Sequence, residues 1–124
     1  MKENLITALN LTEEELFTSL GKITYKSTTN LNSITLSDED YSKKGKIWFT
    51  KRLDIIKQKV CSNETILFVL NKEKVLDNVH LAIAIASIFE HVFEPAHVTI
   101  ISALIIKNGI HRLCKSHQTH DSFK

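Results

Sequence analysis

The chain has 124 residues, of which 43% are hydrophobic and 24% charged, with a formal net charge of +2. That length allows one domain with one core, and the composition excludes an intrinsically disordered chain. Three glycines and one proline are too few for the many tight turns of a β-sandwich or barrel. The totals therefore favour helices.

The first clear helix signal is a capping box. The Thr12 hydroxyl can accept a hydrogen bond from the backbone N–H of Glu15, whose carboxylate can reach back to the N–H of Thr12. This pair predicts a helix over about 13–20, and Gly21 supplies a C-terminal stop.

The strongest helical pattern runs from about residue 38 to residue 60. Ser37 caps it, and three carboxylates in the first turn lie at the positive end of the helix dipole. At about 100° per residue, the residues on its apolar face are Tyr41, Gly45, Trp48, Phe49, Ile55, Ile56 and Val60. Ile47 is the one apolar residue that does not fit this face.

The most apolar region is Val79–Ile106. It predicts a helix over about 78–93 and a second that Pro95 opens and Gly109 ends. Its apolar runs are too short to span a membrane. Apolar residues surround both helices, and a helix apolar on all sides must be covered on all sides. We therefore expect a helical hairpin with surplus apolar surface that a second chain covers. The alternative is that the N-terminal arm folds over the hairpin and completes a monomeric core.

These patterns predict an all-α fold, a small bundle of about four core helices. A Ser/Thr/Asn cluster at 27–33 is typical of a linker. We expect residues 1–35 to form an N-terminal arm with short helices, 36–114 to form the helical core, and 115–124 to be a mobile tail with almost nothing to bury.

The chain has two cysteines, Cys61 and Cys114. No apolar run near Met1 has the form of an export signal. We therefore expect a cytoplasmic protein with both thiols free, because cytosolic proteins rarely keep disulfides. A single disulfide between the two is the alternative.

Metal-ligand residue types recur at every third position near the C-terminus, at His111, Cys114, His117 and His120. On a helix this spacing drifts by about 60° per step, so the side chains would not converge. Known zinc sites usually pair their ligands in two separated clusters. The sequence therefore predicts no metal and no cofactor, with this cluster as the open alternative.

Catalytic motifs are missing from the sequence. Glu94 and His97 have the Glu-x-x-His spacing of di-metal bundles, but those sites need the motif twice. No Gly-x-Ser-x-Gly elbow, phosphate-binding loop or His-Glu-x-x-His motif occurs. We therefore expect a non-enzymatic protein with no catalytic residue.

Basic residues are concentrated in the long helix, between residues 43 and 59. They suggest nucleic-acid binding as an alternative function, with these candidate phosphate contacts: Lys43, Lys44, Lys46, Lys51 and Lys57. Carboxylates at 38–40 and at Asp54 dilute the patch, and the net charge is small. A solvated face is the simpler interpretation.

Arg52 falls in the middle of the apolar face, beside Trp48. Arg next to Trp is a common composition of interaction hot spots; alternatively, the Arg52 stem lies over Trp48 while the guanidinium reaches solvent.

The leading prediction is a protein–protein interaction module, an adaptor or accessory subunit, that forms a homodimer or binds a partner. A narrower version is an immunity or antitoxin-like inhibitor of a partner enzyme. The predicted interface residues are Trp48, Phe49, Arg52, Ile56, Ile85, Phe89, Ile101 and Ile105.

Overall fold

The structure is a computed structural model that describes residues 2–28, 36–73 and 75–115. Its helices are α1 (Lys2–Leu9), α2 (Glu13–Thr28), α3 (Asp38–Lys51), α4 (Leu53–Cys61), α5 (Glu64–Leu70), α6 (Asn78–Phe89), α7 (Pro95–Asn108) and α8 (110–115). No β-strand occurs in these ranges, so the predicted all-α class is confirmed. Most of the predicted linker at 27–33, and all of the predicted tail beyond residue 115, lie outside the described residues.

Helix α2 continues through Gly21, so the prediction that Gly21 ends it was wrong. The glycine serves a different purpose, because a Cβ built on Gly21 would overlap the backbone carbonyl oxygen of Tyr41 on α3. Gly45 on α3 is the counterpart, since a Cβ there would overlap the carbonyl oxygen of Phe17 on α2. The two glycines therefore allow the backbones of α2 and α3 to approach closely.

The predicted helix over 38–60 is two helices that meet at Arg52. Its start is as expected, with the Ser37 hydroxyl accepting from the backbone N–H of Asp40 at 3.1 Å. At Arg52 the backbone leaves helical geometry, and its N–H bonds to the carbonyl oxygen of Phe49 instead of continuing the α-helical ladder. Beyond the break, Ile55, predicted on the apolar face, is 40% exposed.

Helices α6 and α7 form the predicted hairpin at the centre of the fold. Helix α1 packs on both, α2 packs on α7, and α4 packs on α6. The arm contributes fully buried side chains to this covering layer, namely Leu5, Leu16 and Leu20. The alternative weighed above is the arrangement observed: the arm folds over the hairpin and completes the core of a single chain. Some apolar surface remains on the hairpin, where Val92 is 39% exposed and four isoleucines are half-buried, namely Ile83, Ile88, Ile100 and Ile106. That a second chain covers this surface stays a prediction.

A disulfide joins Cys61, at the end of α4, to Cys114 in α8. The expectation of two free thiols was therefore wrong. Both residues are buried, and 53 positions separate them in the chain. Only the packing of α8 against the end of α4 brings the two sulfurs together, and the sequence spacing carries no signal for that contact.

Across the described part of the chain, no helix combines the length and apolarity that a membrane span requires.

Candidate binding surface at the junction of helices α3 and α4

Five of the eight predicted interface residues lie in the core of the single chain. They are Ile56, Ile85, Phe89, Ile101 and Ile105, and none is more than 1% exposed. A partner cannot reach these side chains in this fold, so they are core residues and not surface contacts. The sequence pattern identified them as apolar, but it could not show that the arm would cover them.

The other three predicted residues lie outside the fully buried core. Phe49 is half-buried and meets Phe17 of α2 edge to face, with ring centroids 5.9 Å apart. It therefore helps to hold α2 against α3. Trp48 and Arg52 remain as the pair that faces both the protein and its surroundings.

Arg52 lies over Trp48, with its guanidinium carbon 4.1 Å from the centroid of the indole. Its Nη1 also donates a hydrogen bond to the backbone carbonyl oxygen of Trp48 at 3.1 Å. In a continuous helix the backbone N–H of Arg52 would bond to that oxygen. The side chain therefore supplies the donor that the break between α3 and α4 removes. Arg52 does lie over Trp48, as one of the two interpretations expected, but the guanidinium and not the aliphatic stem covers the indole.

Two aromatic rings from the far end of the hairpin support Trp48. The His97 imidazole lies 5.0 Å from the indole, with ring planes 32° apart, and the Phe93 ring lies at 5.5 Å. Pro95 begins α7 and places His97 in its first turn. Trp48 is thus fixed from three sides, so its position on the surface is well defined.

His97 is a buried histidine in an apolar setting. It is 9% exposed, and its Nδ1 has no hydrogen-bond partner among the described residues. Burial lowers the pKa of His97 below the ordinary imidazole value of 6.5; the charge of Glu94 opposes this shift, and the charge of Arg52 adds to it. The imidazole beneath Trp48 is therefore neutral near pH 7.

Two depressions flank the Trp48–Arg52 pair. The first, of about 300 Å³, is lined by Thr24, Tyr25, Lys44, Ile47, Trp48, Lys51 and Arg52. The second, of about 350 Å³, is lined by Trp48, Arg52, Val92, Phe93, Glu94 and His97. We call the five α3-side residues Lys44, Ile47, Trp48, Lys51 and Arg52 the Trp48 surface.

Ile47 belongs to this surface and was missed as a site residue. At 55% exposed, it is the most exposed large apolar side chain in the described helices. The sequence did carry the signal, because Ile47 is the residue that did not fit the apolar face of the long helix. A single exposed apolar residue is common on protein surfaces. Ile47 counts as a site residue because it lines the same depression as Trp48 and Arg52.

The lysines proposed as phosphate contacts do not act as one group. Lys43 pairs with Glu39 at 3.7 Å and Lys46 pairs with Glu14 at 3.6 Å. Lys57 lies on α4, beyond the break. Lys44 and Lys51 line the first depression, where Lys44 lies 5.0 Å from the centroid of the Tyr25 ring. Of the five candidate lysines, two are thus paired with a glutamate, two belong to the Trp48 surface, and Lys57 lies apart on α4.

One of the four proposed metal ligands, Cys114, has no free thiol because it is bonded to Cys61. His117 and His120 lie outside the described residues. In the ranges that the structure describes, no group of three or more His, Cys, Asp or Glu side chains is arranged to hold a metal ion.

No protein-family model matches this chain, and neither a curated protein nor a solved structure is significantly similar to it. A functional proposal therefore has only the chain's own residues to rest on.

Proposed function

We propose that this chain is a non-enzymatic protein-binding module that docks through the Trp48 surface. The observation that carries the proposal is the stacked pair of Trp48 and Arg52 beside the exposed Ile47. Trp and Arg are enriched among the few interface residues that dominate binding energy. An apolar anchor next to such a pair completes a compact contact site.

The rigidity of the pair supports the proposal. Trp48 is held between Arg52, His97 and Phe93, and Arg52 is tied to the backbone at the helix break. Side chains that are already ordered lose little conformational entropy when a partner binds. A small surface can therefore give useful affinity.

An adaptor, an accessory subunit and an antitoxin-like inhibitor would all use such a surface, and they differ only in the partner. A homodimer stays a proposal as well, although the arm buries part of the hairpin surface that motivated it. Sedimentation of the pure protein distinguishes self-association from binding to another protein.

Nucleic-acid binding is the weaker proposal. Carboxylates of the same chain already pair with Lys43 and Lys46, so two of the five candidate contacts would have to break an ion pair to reach a phosphate.

A cytoplasmic location also remains a proposal, and the disulfide weighs against it because such bonds persist mainly in oxidising compartments. Alkylation of free thiols during cell lysis, followed by mass analysis, tests it. A reduced pair of Cys61 and Cys114 supports the cytoplasm, and an alkylation-resistant pair contradicts it.

The docking proposal is tested by photo-crosslinking in the cells that produce the protein. A benzophenone amino acid replaces Ile47 in one variant and Leu67, an exposed residue of α5, in the control. We expect a discrete crosslinked product from position 47 that is absent from position 67. Equal or no crosslinking at the two positions would contradict a docking role for the Trp48 surface.

A further inference from the structure

We propose that the Trp48 surface binds an acidic segment of another protein, one that inserts a single large apolar side chain beside Ile47. This inference rests on the proposed docking function and adds the chemistry of the partner. Three features of the surface carry it: its uncompensated positive charge, the size of its first depression, and the occupied faces of the indole.

The positive charge of the surface is not neutralised from within. Lys44, Lys51 and Arg52 all line the first depression, and none of the described residues that line it is a carboxylate. Arg52 also lines the second depression, where Glu94 lies. No ion pair in the described part of the chain involves any of these three cations. Their neighbours Lys43 and Lys46, by contrast, are each paired with a glutamate. Charge complementarity therefore favours a partner that supplies carboxylates.

The apolar part of the surface is small. The first depression has a volume of about 300 Å³, at the lower end of the range for ligand pockets. Ile47 and the indole of Trp48 form its apolar lining, while the three cations and Tyr25 surround them. This space suits one large aliphatic or aromatic side chain, with carboxylates on either side of it in the partner sequence.

The state of the indole argues against a nucleic acid as the occupant. Proteins that bind single-stranded nucleic acids stack the bases on open aromatic faces. Here the Arg52 guanidinium lies 4.1 Å from the Trp48 ring, and the His97 ring lies 5.0 Å away at a shallow angle. A base would have to displace one of them to stack. Carboxylates can approach Arg52 and Lys51 without disturbing either contact.

Selection from a random twelve-residue peptide library displayed on phage tests the inference, with the purified wild-type protein as bait. We expect the enriched peptides to combine two or more Asp or Glu with one large apolar residue. Trp48 is the only tryptophan in the chain, so its fluorescence measures the affinity of the synthesised peptides directly.

Variants then locate the binding site. Lys44→Gln, Lys51→Gln and Arg52→Gln combined should weaken the best peptide at least tenfold, and Ile47→Ser should weaken it by a similar factor. The matched control is Lys43→Gln combined with Lys46→Gln, which removes two paired lysines from the same helix and should leave affinity unchanged. Circular dichroism verifies that each variant is folded.

The possible outcomes separate the two proposals. Enriched peptides that need Ile47 but carry no acidic residues would overturn the acidic partner and leave the docking function intact. Peptides insensitive to both Ile47→Ser and the triple variant, or no enrichment over an unrelated bait, would overturn both. Equal competition by oligothymidylate would overturn the protein segment in favour of a nucleic acid.

Discussion

The side chain of Arg52 hydrogen-bonds to the backbone carbonyl of Trp48 while its guanidinium lies over the indole of the same residue. One residue therefore compensates for the broken helix between α3 and α4 and orders the half-buried tryptophan. The fold and the candidate surface depend on the same contact.

Replacing Arg52 should accordingly affect both stability and the tryptophan. Arg52→Gln removes the stacked cation and the Nη1 donor, and we expect it to lower the free energy of unfolding by about 1 kcal/mol. Arg52→Lys keeps the charge but lacks the planar fork that stacks and donates together, so it should behave like Arg52→Gln. Urea unfolding followed by Trp48 fluorescence measures both effects. Full stability and an unchanged emission spectrum in Arg52→Gln would show that the contact is unimportant.

The close approach of α2 and α3 predicts a severe effect of a single methyl group. Gly21→Ala or Gly45→Ala would force a Cβ into the carbonyl oxygen of Tyr41 or Phe17. Because the obstacle is backbone, the two helices must separate, and we expect a loss of more than about 3 kcal/mol. Thr50→Ala, at an exposed position on α3, is the control and should stay within about 0.5 kcal/mol. Thermal unfolding checks all three, and a near-native Gly21→Ala variant would refute this packing.

The disulfide predicts that reductant destabilises the protein. Closing a loop of this length restricts the unfolded chain and stabilises the fold by about 2–4 kcal/mol. Wild type should therefore lose that amount of unfolding free energy in dithiothreitol, and the Cys61→Ala, Cys114→Ala double variant should not respond to the reagent. Two reactive thiols in the unreduced, denatured protein would contradict the bond.

His97 predicts a component of the pH dependence of stability. Its pKa in the folded protein lies below the ordinary value of 6.5 because burial disfavours the imidazolium. As the pH falls below 6.5, the unfolded chain takes up a proton that the folded chain does not, so stability falls until the pH drops below the folded pKa. Well above pH 6.5, where both states hold a neutral imidazole, this contribution is complete.

The variant that tests this is His97→Phe, which keeps a ring beside Trp48 but cannot titrate. It should show a smaller loss of unfolding free energy between pH 7 and pH 5 than wild type. His91→Gln, at an exposed position in the turn before α7, is the control and should keep the wild-type slope. Identical slopes in wild type and His97→Phe would exclude His97 as the source.

Local signals in the sequence predicted much of the fold. The capping box at Thr12 forms, with the Glu15 carboxylate accepting from the Thr12 N–H at 2.8 Å. Ser37 caps α3, and α7 begins at Pro95 and ends at Asn108. Each of these signals depends on residues within one turn of one another, which is why a sequence pattern can find them.

Features that depend on distant residues could not be predicted. In a sequence, a glycine that ends a helix cannot be distinguished from one that permits two helices to cross closely. Gly21 was therefore interpreted as a helix stop. No proline or glycine lies at the break at Arg52, so the sequence contains no local signal for it. The covering of the hairpin by α1 and α2, and with it the burial of Ile85 and Ile101, depends on tertiary packing that no periodicity encodes.

The candidate surface was predicted in part. Trp48 and Arg52 were identified from their adjacency on a helix, which is local information. The remaining predicted contacts were chosen because they are apolar, and an apolar side chain in a small domain is more often core than interface. Ile47 stood out from the apolar face in the sequence, but only the structure shows that it lies beside Trp48 and Arg52.

The most direct test of the docking function is the mass of the complex that contains this chain in an undiluted extract of its own cells. We predict a mass well above that of a single chain for wild type, and a shift to the monomer for Ile47→Ser combined with Arg52→Gln. A wild-type protein that sediments as a free monomer in that extract would contradict the proposed function.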